Sequence, residues 1–370
     1  MKRLTAQHGI VCRLPGERFG YFAWPTVSRL DNGTLLVVSS GLRSAHACPW
    51  GKTVLNSSTD DGRTWSPPRV IQDSRIDDRD AGIVSLNGNS VLVTWFRSDT
   101  ARRLYDVLDL SAEERAAWSA VVATQTDELV NGLLGSWAMR SDDGGATWGE
   151  PVRVPVSAPH GPIRLRSGAL LYLGKPYGRW EDMYSGQITA ARSMDGGRNW
   201  TVLGTVPLHP GTETIHYHEP HVIELPSGRL IGMIRFSWTD GDGVKQRSML
   251  QTASDDGGLT WTTARPLGFH GCPPHLLRHS SGVLVLTYGY RLEPYGQRVA
   301  FSRDDGATWE HDWVLRDDGP DGDLGYPATV ELGDGRLFSV YYQKAAAGEQ
   351  CSLLWSRWEL PVEPTSWEIT

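Results

Sequence analysis

Acidic and basic side chains occupy opposite ends of a repeated stretch of this sequence. The clearest copy is residues 215–235, IHYHEPHVIELPSGRLIGMIR, in which Glu219 precedes one apolar strand and Arg235 ends the next. The turn between them is Pro226-Ser227-Gly228, so both side chains lie at the open end of one predicted β-hairpin. A carboxylate there can act as a general base, and an arginine can bind a carboxylate in bidentate fashion. The hairpin therefore predicts chemistry at its open end.

The same hairpin recurs along the chain when the copies are aligned on the apolar residue before each turn. Six copies span residues 21–40, 79–96, 159–175, 215–235, 273–291 and 325–343. A second repeat, Ser-x-Asp-x-Gly-x-Thr/Asn-Trp, alternates with the first. Its five copies begin at Ser58, Ser141, Ser193, Ser254 and Ser302. Only the last hairpin has no such box after it.

A repeat of about fifty residues built from two hairpins is typical of a β-propeller, because one four-stranded sheet cannot bury both faces until neighbours stack on it. The sequence therefore predicts an all-β fold, a six-bladed β-propeller of four-stranded antiparallel blades, as a single domain over residues 1–370. In each box the aspartate can accept backbone N–H bonds across a tight turn, the glycine can adopt a positive φ, and the tryptophan fills space beside the turn. The boxes are expected to be structural.

Composition limits the partners of the chain. The net charge of −7, the pI near 5.9 and the absence of a lysine-rich or arginine-rich run argue against a general nucleic-acid binder. The four cysteines have unrelated spacings and no CxxC pair, so they are expected to be free thiols. No cofactor is predicted.

The beginning of the chain, MKRLTAQHGIVCRLPG, has basic residues but no apolar segment after them. No stretch approaches the roughly 20 apolar residues that cross a bilayer. A cytoplasmic protein without membrane contact is the expectation, although a secreted chain whose signal peptide has been removed would begin in the same way.

Two further segments complete the predicted fold. Residues 9–14 and 352–360 form short strands, and the missing sixth box fits a last blade whose outer strand comes from the N-terminus. A helical insertion over residues 98–137 is predicted from Ser111 as N-cap, Glu113 and Glu114 in the first turn and a stop at Gly135. The insertion leaves the open end of a hairpin, so it is expected to form a lid or wall of the pocket, with an oligomer contact as the alternative.

The first strand of each propeller blade lines the central channel, so the open ends of the six hairpins surround one opening. The residues just before the inner strands are Trp24, Asp80, Pro159, Glu219, Pro273 and Tyr326. Their close neighbours include Arg79, His160, His218, His221 and His275. The residues at the exits of the second strands are Ser40, Arg97, Lys175, Arg235, Arg291 and Gln343. Acids, a tyrosine, histidines and cations at matched positions predict a substrate site. The alternative interpretation of each residue alone is structural: a histidine there hydrogen-bonds a backbone carbonyl, and Arg97 or Lys175 is solvated.

The boxes resemble the Asp-box of the sialidase (neuraminidase) superfamily, the BNR-repeat propellers. HEPHVIELPSGRLIGMIR is similar to the sialidase segment that carries the catalytic glutamate and one arginine of the carboxylate-binding triad, here Glu219 and Arg235. GYPATVELGDGRL is similar to the segment of the tyrosine nucleophile, here Tyr326, and Arg291 falls where another triad arginine is expected. Asp80 is the best match to the acid/base aspartate. The resemblance implies an exo-glycosidase that hydrolyses a terminal, acidic sugar.

The first hairpin departs from that family. Sialidases carry an arginine two residues before its proline, and this chain has Ala23-Trp24-Pro25. Arg79 or Arg18 could supply the missing charge. A related sugar or a uronic acid therefore stays open beside a sialoside.

The histidines also exceed the family pattern. His160, His221 and His275 lie near one column from three successive blades, where they could bind a metal or remove a proton α to a uronate carboxylate. A polysaccharide lyase, or a non-sialidase glycosidase that uses these histidines, is the first alternative. A non-catalytic carbohydrate-binding propeller is the second. The sugar, its linkage, the anomeric outcome and the oligomeric state stay open.

Overall fold

Glycine turns and alternating apolar residues form the hairpins of this chain, as at Gly228, whose φ of +88° closes the turn of the hairpin around Glu219. The computed structural model describes residues 1–176, 185–239 and 241–361. Residues 177–184, 240 and 362–370 of the predicted domain lie outside the described residues.

Two short strands, β1 (Lys2–Arg3) and β2 (Ala6–Cys12), precede the first blade. Blade 1 contains β3 (Tyr21–Arg29), β4 (Leu35–Arg43), β5 (Lys52–Ser58) and β6 (Arg69–Gln72). Blade 2 contains β7 (Asp77–Ser85), β8 (Val91–Ser98), β9 (Gly135–Ser141) and β10 (Val152–Val154). Blade 3 contains β11 (Ile163–Arg164), β12 (Leu170–Gly174), β13 (Thr189–Ser193) and β14 (Thr201–Thr205).

A short 3-10 turn, Thr214–His216, leads into blade 4. Blade 4 contains β15 (Tyr217–Glu224), β16 (Leu230–Thr239), β17 (Lys245–Ser254) and β18 (Arg265–His270). Blade 5 contains β19 (Pro274–Arg278), β20 (Leu284–Tyr290), β21 (Gly296–Ser302) and β22 (Glu310–Arg316). Blade 6 contains β23 (Gly325–Glu331), β24 (Leu337–Lys344) and β25 (Cys351–Trp358).

The predicted fold class is confirmed. The described residues form six sheets, and the four strands of each blade pair in antiparallel order, as in β15-β16-β17-β18. Apolar side chains of adjacent blades pack between the sheets. Leu171 and Leu173 of blade 3, for example, share a buried cluster with Leu230, Ile234 and Leu250 of blade 4.

The N-terminal segment closes the ring, as the missing sixth box predicted. Strand β2 pairs with β25 as the outer strand of blade 6, although it spans Ala6–Cys12 rather than residues 9–14. Strand β1 adds a pairing that the sequence did not indicate, because it lies parallel to β22 as a fifth strand of blade 5. The first twelve residues therefore join two blades.

Each box forms a locked turn between the third and fourth strands of its blade. In the first box the Asp60 carboxylate accepts hydrogen bonds from the Thr64 backbone N–H at 2.9 Å and from its hydroxyl at 2.6 Å. Gly62 has a φ of +80°, and a Cβ there would lie 2.4 Å from the ring of Phe338 in the preceding blade. Because the strands alternate in direction, the boxes lie at the opposite rim from the residues that precede the inner strands.

The insertion in blade 2 contains three helices, α1 (Thr100–Leu104), α2 (Ala112–Val122) and α3 (Asp127–Leu133). Ser111 caps α2 by accepting a hydrogen bond from the Glu114 backbone N–H at 3.2 Å, and the chain re-enters the sheet at Gly135. Trp118 packs edge-on against Trp50 of blade 1 at 6.3 Å between ring centroids. Within the described residues, none of the helices is long and apolar enough to cross a membrane.

Candidate active site

Four residues that the sequence placed just before the inner strands lie within the first few residues of those strands and adopt the left-handed backbone conformation. The φ angles of Trp24, Asp80, Glu219 and Tyr326 are +54°, +49°, +36° and +52°. In all four blades the pairing register shifts at this residue, which marks a β-bulge. A bulge re-aims a side chain, and non-glycine residues in this region cost about 1–3 kcal/mol each and cluster at functional sites.

Glu219, Tyr326 and Arg235 are directly connected. The Tyr326 hydroxyl donates to Glu219 Oε1 at 2.5 Å, and Arg235 Nη1 donates to Glu219 Oε2 at 2.6 Å. The same Nη1 lies 3.2 Å from the Tyr326 hydroxyl. Glu219 and Tyr326 are buried, so the three groups interact with little competition from water.

The charge states of this group follow from its burial and its ion pair. Burial alone would raise the pKa of Glu219, but the charge of Arg235 and the hydrogen bonds from Tyr326 and Arg235 outweigh it and lower this pKa. Burial, reinforced by the Glu219 charge, raises the pKa of Tyr326 well above its usual value. The resting arrangement is therefore a carboxylate that accepts a hydrogen bond from a neutral phenol.

Asp80 is a second carboxyl group at the same opening. It is buried, and its Oδ1 has no hydrogen-bond partner among the described residues. Burial raises the pKa of Asp80 to about 7; Arg79 opposes this shift and the Glu219 charge reinforces it. Glu219 and Asp80 thus differ in protonation near neutral pH, which is the separation of pKa values that an acid and a base require.

Trp24 stands beneath two cations. The guanidinium of Arg79 lies 4.3 Å from the centroid of the Trp24 ring, and that of Arg43 lies 5.0 Å from it. Asp77 holds both arginines, since it accepts from Arg43 Nη1 at 2.6 Å and from Arg79 Nη1 at 3.1 Å. Positive charge is therefore present where the first hairpin lacks its arginine. Arg18 instead pairs with Glu114 of the insertion at 3.3 Å.

Arg291 lies on the other side of Tyr326. Its guanidinium is 5.8 Å from the centroid of the Tyr326 ring. Its Nε donates to the Leu324 carbonyl at 3.0 Å, and its Nη2 lies 3.4 Å from the Tyr342 hydroxyl. No carboxylate among the described residues forms an ion pair with Arg291.

His160, His221 and His275 form one buried group in the channel. The rings of His221 and His275 are stacked with centroids 4.4 Å apart, and the His160 ring packs edge-on against both at 5.7 and 5.0 Å. Burial lowers the pKa of His221 to about 3, and it lowers those of the other two well below the usual value. All three are therefore neutral near pH 7. Among the described residues, no cluster of histidine, cysteine or acidic side chains is arranged to hold a metal ion.

The hydrogen bonds of these histidines assign their tautomers. His221 Nδ1 accepts from the Leu276 backbone N–H at 3.0 Å, so its proton is on Nε2. The Thr26 hydroxyl donates to the Pro159 carbonyl at 3.0 Å, so it accepts from His160 Nδ1 at 3.3 Å. This leaves His160 Nε2 as a buried lone pair with no partner in the described part of the chain.

The other predicted residues of the opening are Arg97, Lys175 and His218. Arg97 pairs with Asp78 at 3.2 Å and stacks on Trp137 at the end of the insertion, 4.4 Å from the ring centroid. The Lys175 ammonium donates to the carbonyls of Thr214 and Tyr217, each at 2.9 Å. His218 is paired across the hairpin with Arg235. These contacts connect the rim to the elements around it.

Sequence reasoning missed several residues at the opening. Asp323 accepts from the hydroxyls of Tyr21 and Tyr342 and lies 3.0 Å from His46 Nδ1, which ties blade 6 to blade 1. Asp77 and Arg43 form a fully buried ion pair. Asp77 and Asp323 each lie three residues before a predicted column residue, and that spacing was the signal that could have identified them.

A sequence profile of the BNR repeat-like domain matches residues 121–340, which is more than half of the chain. The chain belongs to this family. The match joins the fold and the box repeats to the sialidase-like BNR β-propellers. A search of curated protein sequences found no match.

Solved structures share the fold of this BNR repeat-like protein. A Dyadobacter fermentans protein of unknown function has a TM-score of 0.75 and 23% identity, over 97% of this chain and 99% of its own. The Trypanosoma rangeli sialidase in complex with sialic acid has a TM-score of 0.64 and 17% identity, over 96% of this chain and 60% of its own. The Ruminococcus gnavus intramolecular trans-sialidase in complex with oseltamivir carboxylate has a TM-score of 0.65 and 16% identity, over 96% and 98%.

Proposed function

We propose that this protein is an exo-acting glycoside hydrolase that removes a terminal, acidic sugar. The hydrogen bond of 2.5 Å between the Tyr326 hydroxyl and the Glu219 carboxylate carries the proposal. A phenol has an unperturbed pKa of about 10 and needs a neighbouring base to act as a nucleophile at neutral pH. Glu219 is that base, and Arg235 keeps it ionised.

The reaction then proceeds in two steps. In the first, Tyr326 passes its proton to Glu219 and its oxygen bonds to the anomeric carbon, while Asp80 protonates the departing glycosidic oxygen. In the second, Asp80 takes a proton from water, the water oxygen displaces the tyrosyl oxygen, and the phenol regains its proton from Glu219. The raised pKa of Asp80, about 7, suits a group that alternates between acid and base.

Cations around the pair support an acidic sugar. Arg235 and Arg291 flank Tyr326, and Arg79 lies over Trp24 on the blade 1 side. A neutral tyrosine also avoids the repulsion that a carboxylate nucleophile would meet near an anionic sugar. Two of the structures with the same fold were solved with sialic acid and with oseltamivir carboxylate. The sugar class is therefore proposed as a hexuronic or nonulosonic acid.

A second candidate is a polysaccharide lyase in which His160 removes the proton α to a uronate carboxylate. The free lone pair on His160 Nε2 and the 6.4 Å between the ring centroids of His160 and Tyr326 favour it. Elimination yields an unsaturated uronide that absorbs in the ultraviolet, and hydrolysis does not. One spectrophotometric assay on oligouronides separates the two reactions.

Kinetics of Glu219→Gln, Tyr326→Phe and the double variant test the hydrolase. Loss of an acid–base or nucleophilic group lowers turnover by about 10²–10⁴-fold, and members of one catalytic unit are non-additive. We expect the double variant to be little slower than either single variant. Near-normal turnover of Tyr326→Phe would remove the nucleophile from the mechanism. Sugar binding with no turnover in the wild type would instead indicate a binding propeller.

A further inference from the structure

Four buried polar atoms at the rim end of blade 4 have no hydrogen-bond partner among the described residues. They are Arg235 Nε, Ser237 Oγ, Arg247 Nε and His270 Nε2. We name these four residues the blade 4 donor cluster. Only Arg235 among them has a carboxylate partner, Glu219.

Strand register brings three members of the donor cluster, Arg235, Ser237 and Arg247, to one face of the sheet. Arg235 of β16 is paired with Met249 of β17, and Ser237 is paired with Arg247, without a shift between them. Directly paired residues share a face, and so do residues two apart on a strand. Arg235, Ser237 and Arg247 therefore lie on the face that carries Met249.

That face is turned towards blade 5 and Arg291. Met249 belongs to a buried cluster with Leu286 and Tyr288 of β20. His270, at the end of β18, packs edge-on against Tyr290 with ring centroids 5.2 Å apart. Arg291 follows Tyr290 directly. The donor cluster and Arg291 thus border the same cleft between blades 4 and 5.

The cleft has an excess of positive charge. Burial lowers the pKa of Arg247, and the charges of Arg291 and Arg235 lower it further. Burial together with the charges of Arg247 and Arg291 lowers the pKa of His270 to about 4. No carboxylate in the described part of the chain pairs with Arg247 or Arg291. Among the described residues, Glu219 is therefore the one acid that pairs with any of these three arginines, and it is engaged with Arg235 and Tyr326.

Buried donors without acceptors, and like charges without a counterion, are unfavourable in a folded protein. An oxyanion relieves both because it carries several acceptor atoms and negative charge. A neutral sugar hydroxyl supplies the acceptors but not the charge. The composition of the cleft therefore favours a carboxylate or a sulfate ester over an uncharged group.

We propose that the blade 4 donor cluster binds an anionic substituent of the sugar and that Arg247 determines the selectivity for acidic over neutral substrates. The proposal rests on the proposed function for its substrate and deepens it. The family resemblance gives substrate contacts to Arg235 and Arg291, and it assigns nothing to Ser237, Arg247 or His270.

Calorimetric titration of the full chain tests this role. The probes are N-acetylneuraminic acid and galacturonic acid, each against its own methyl ester, and galactose 6-sulfate against galactose. We expect the wild type to prefer at least one anionic probe and Arg247→Gln to lose about tenfold or more of that affinity, while the uncharged partner binds as before. Arg229→Gln is the matched control, since Arg229 is 43% exposed and pairs with Asp255 at the turn end of the same blade. It should bind like the wild type.

Thermal unfolding without ligand separates binding from structure. Removing an uncompensated cation should leave the melting temperature of Arg247→Gln unchanged or higher, whereas removing an arginine that holds the fold together would lower it.

The proposal is overturned if the wild type binds no anionic probe better than its uncharged partner, or if Arg247→Gln weakens the binding of both partners equally. Anion selectivity without glycoside hydrolysis would contradict the proposed function and leave this inference standing. If the protein hydrolyses glycosides and Arg247→Gln slows acidic and neutral aryl glycosides equally, the proposed function stands and this inference is contradicted.

Discussion

The two rims of the propeller carry aspartates in opposite environments. At the box rim, Asp256 is exposed, and hydrogen bonds from the Thr260 side chain and backbone and from Ser254 lower its pKa to about 2. At the other rim Asp80 is buried, its Oδ1 lacks a partner, and its pKa rises to about 7. All five boxes hold their aspartate by the same pattern of turn hydrogen bonds, whereas the residues at the opening differ from blade to blade. The repeated carboxylates are satisfied and serve the fold, whereas Asp80 keeps an oxygen without a partner among the described residues and is available for chemistry.

The largest expected difference between the rims is in turnover. Asp80→Asn should reduce kcat by about 10²–10⁴-fold on substrates with a poor leaving group, because no acid then protonates the glycosidic oxygen. Aryl glycosides with acidic phenols should lose less. In the wild type, activity should fall as pH rises through about 7, where Asp80 loses its proton, and this limb of the kcat/KM profile should be absent from the variant.

The same substitution at the other rim is the control. The two oxygens of Asp256 accept from the Thr260 backbone N–H at 2.9 Å and from its hydroxyl at 2.6 Å, and Asp256→Asn replaces one of them with an NH₂ group and removes the charge. It should lower the melting temperature and leave kcat and KM of the folded protein unchanged. A catalytic defect in this variant, or none in Asp80→Asn, would break the distinction between the rims.

Box tryptophans should affect stability alone. Trp261 is 6% exposed and packs into the cluster between blades 3 and 4, so Trp261→Ala should cost about 3–5 kcal/mol in the free energy of unfolding. Urea denaturation measures the cost, and KM of the folded fraction should equal that of the wild type. A large rise in KM at unchanged stability would show that the box communicates with the opening.

The smallest expected effect is a pH dependence from the channel. The pKa of His221 is about 3 in the folded protein, against about 6.5 in an unfolded chain. The unfolded chain therefore binds the proton first as pH falls, and stability should decrease between these values by about 1.4 kcal/mol per pH unit from this residue. His221→Asn keeps an acceptor for the Leu276 N–H and should remove that part of the slope in urea denaturation between pH 4 and 6. Parallel slopes for the two proteins would mean that His221 is charged in the native channel.

Sequence periodicity was sufficient to predict the blades, because each hairpin and box is encoded locally by alternation, glycine and aspartate. The closure of the ring by β2 was predicted by comparing the number of hairpins with the number of boxes, since the last hairpin has no box after it. The column of Trp24, Asp80, Glu219 and Tyr326 followed from the alignment of the repeats. The backbone conformation of these residues could not be predicted, because only glycine signals a positive φ in a sequence and none of the four is glycine.

Contacts between blades were the part that the sequence could not predict. Arg247 lies in a third strand, outside the aligned hairpins, and its proximity to Arg291 depends on how two blades pack. The histidine group shows the same limit, since the repeat placed three rings near one column but did not indicate that they would fill the channel against each other. Trp24 was predicted as a departure from the family, and its place beneath Arg79 and Arg43 required coordinates.

The clasp formed by β1 and β2 gives the propeller a definite order of completion during synthesis. Residues 2–12 are translated before the rest of the propeller, but their partners in β22 and β25 begin at Glu310 and Cys351. These two strands therefore have no partners until β22 and β25 have been translated. Contacts so distant in sequence close a large loop and form slowly. We therefore expect the pairing of β1 and β2 to be a late step in the completion of the ring.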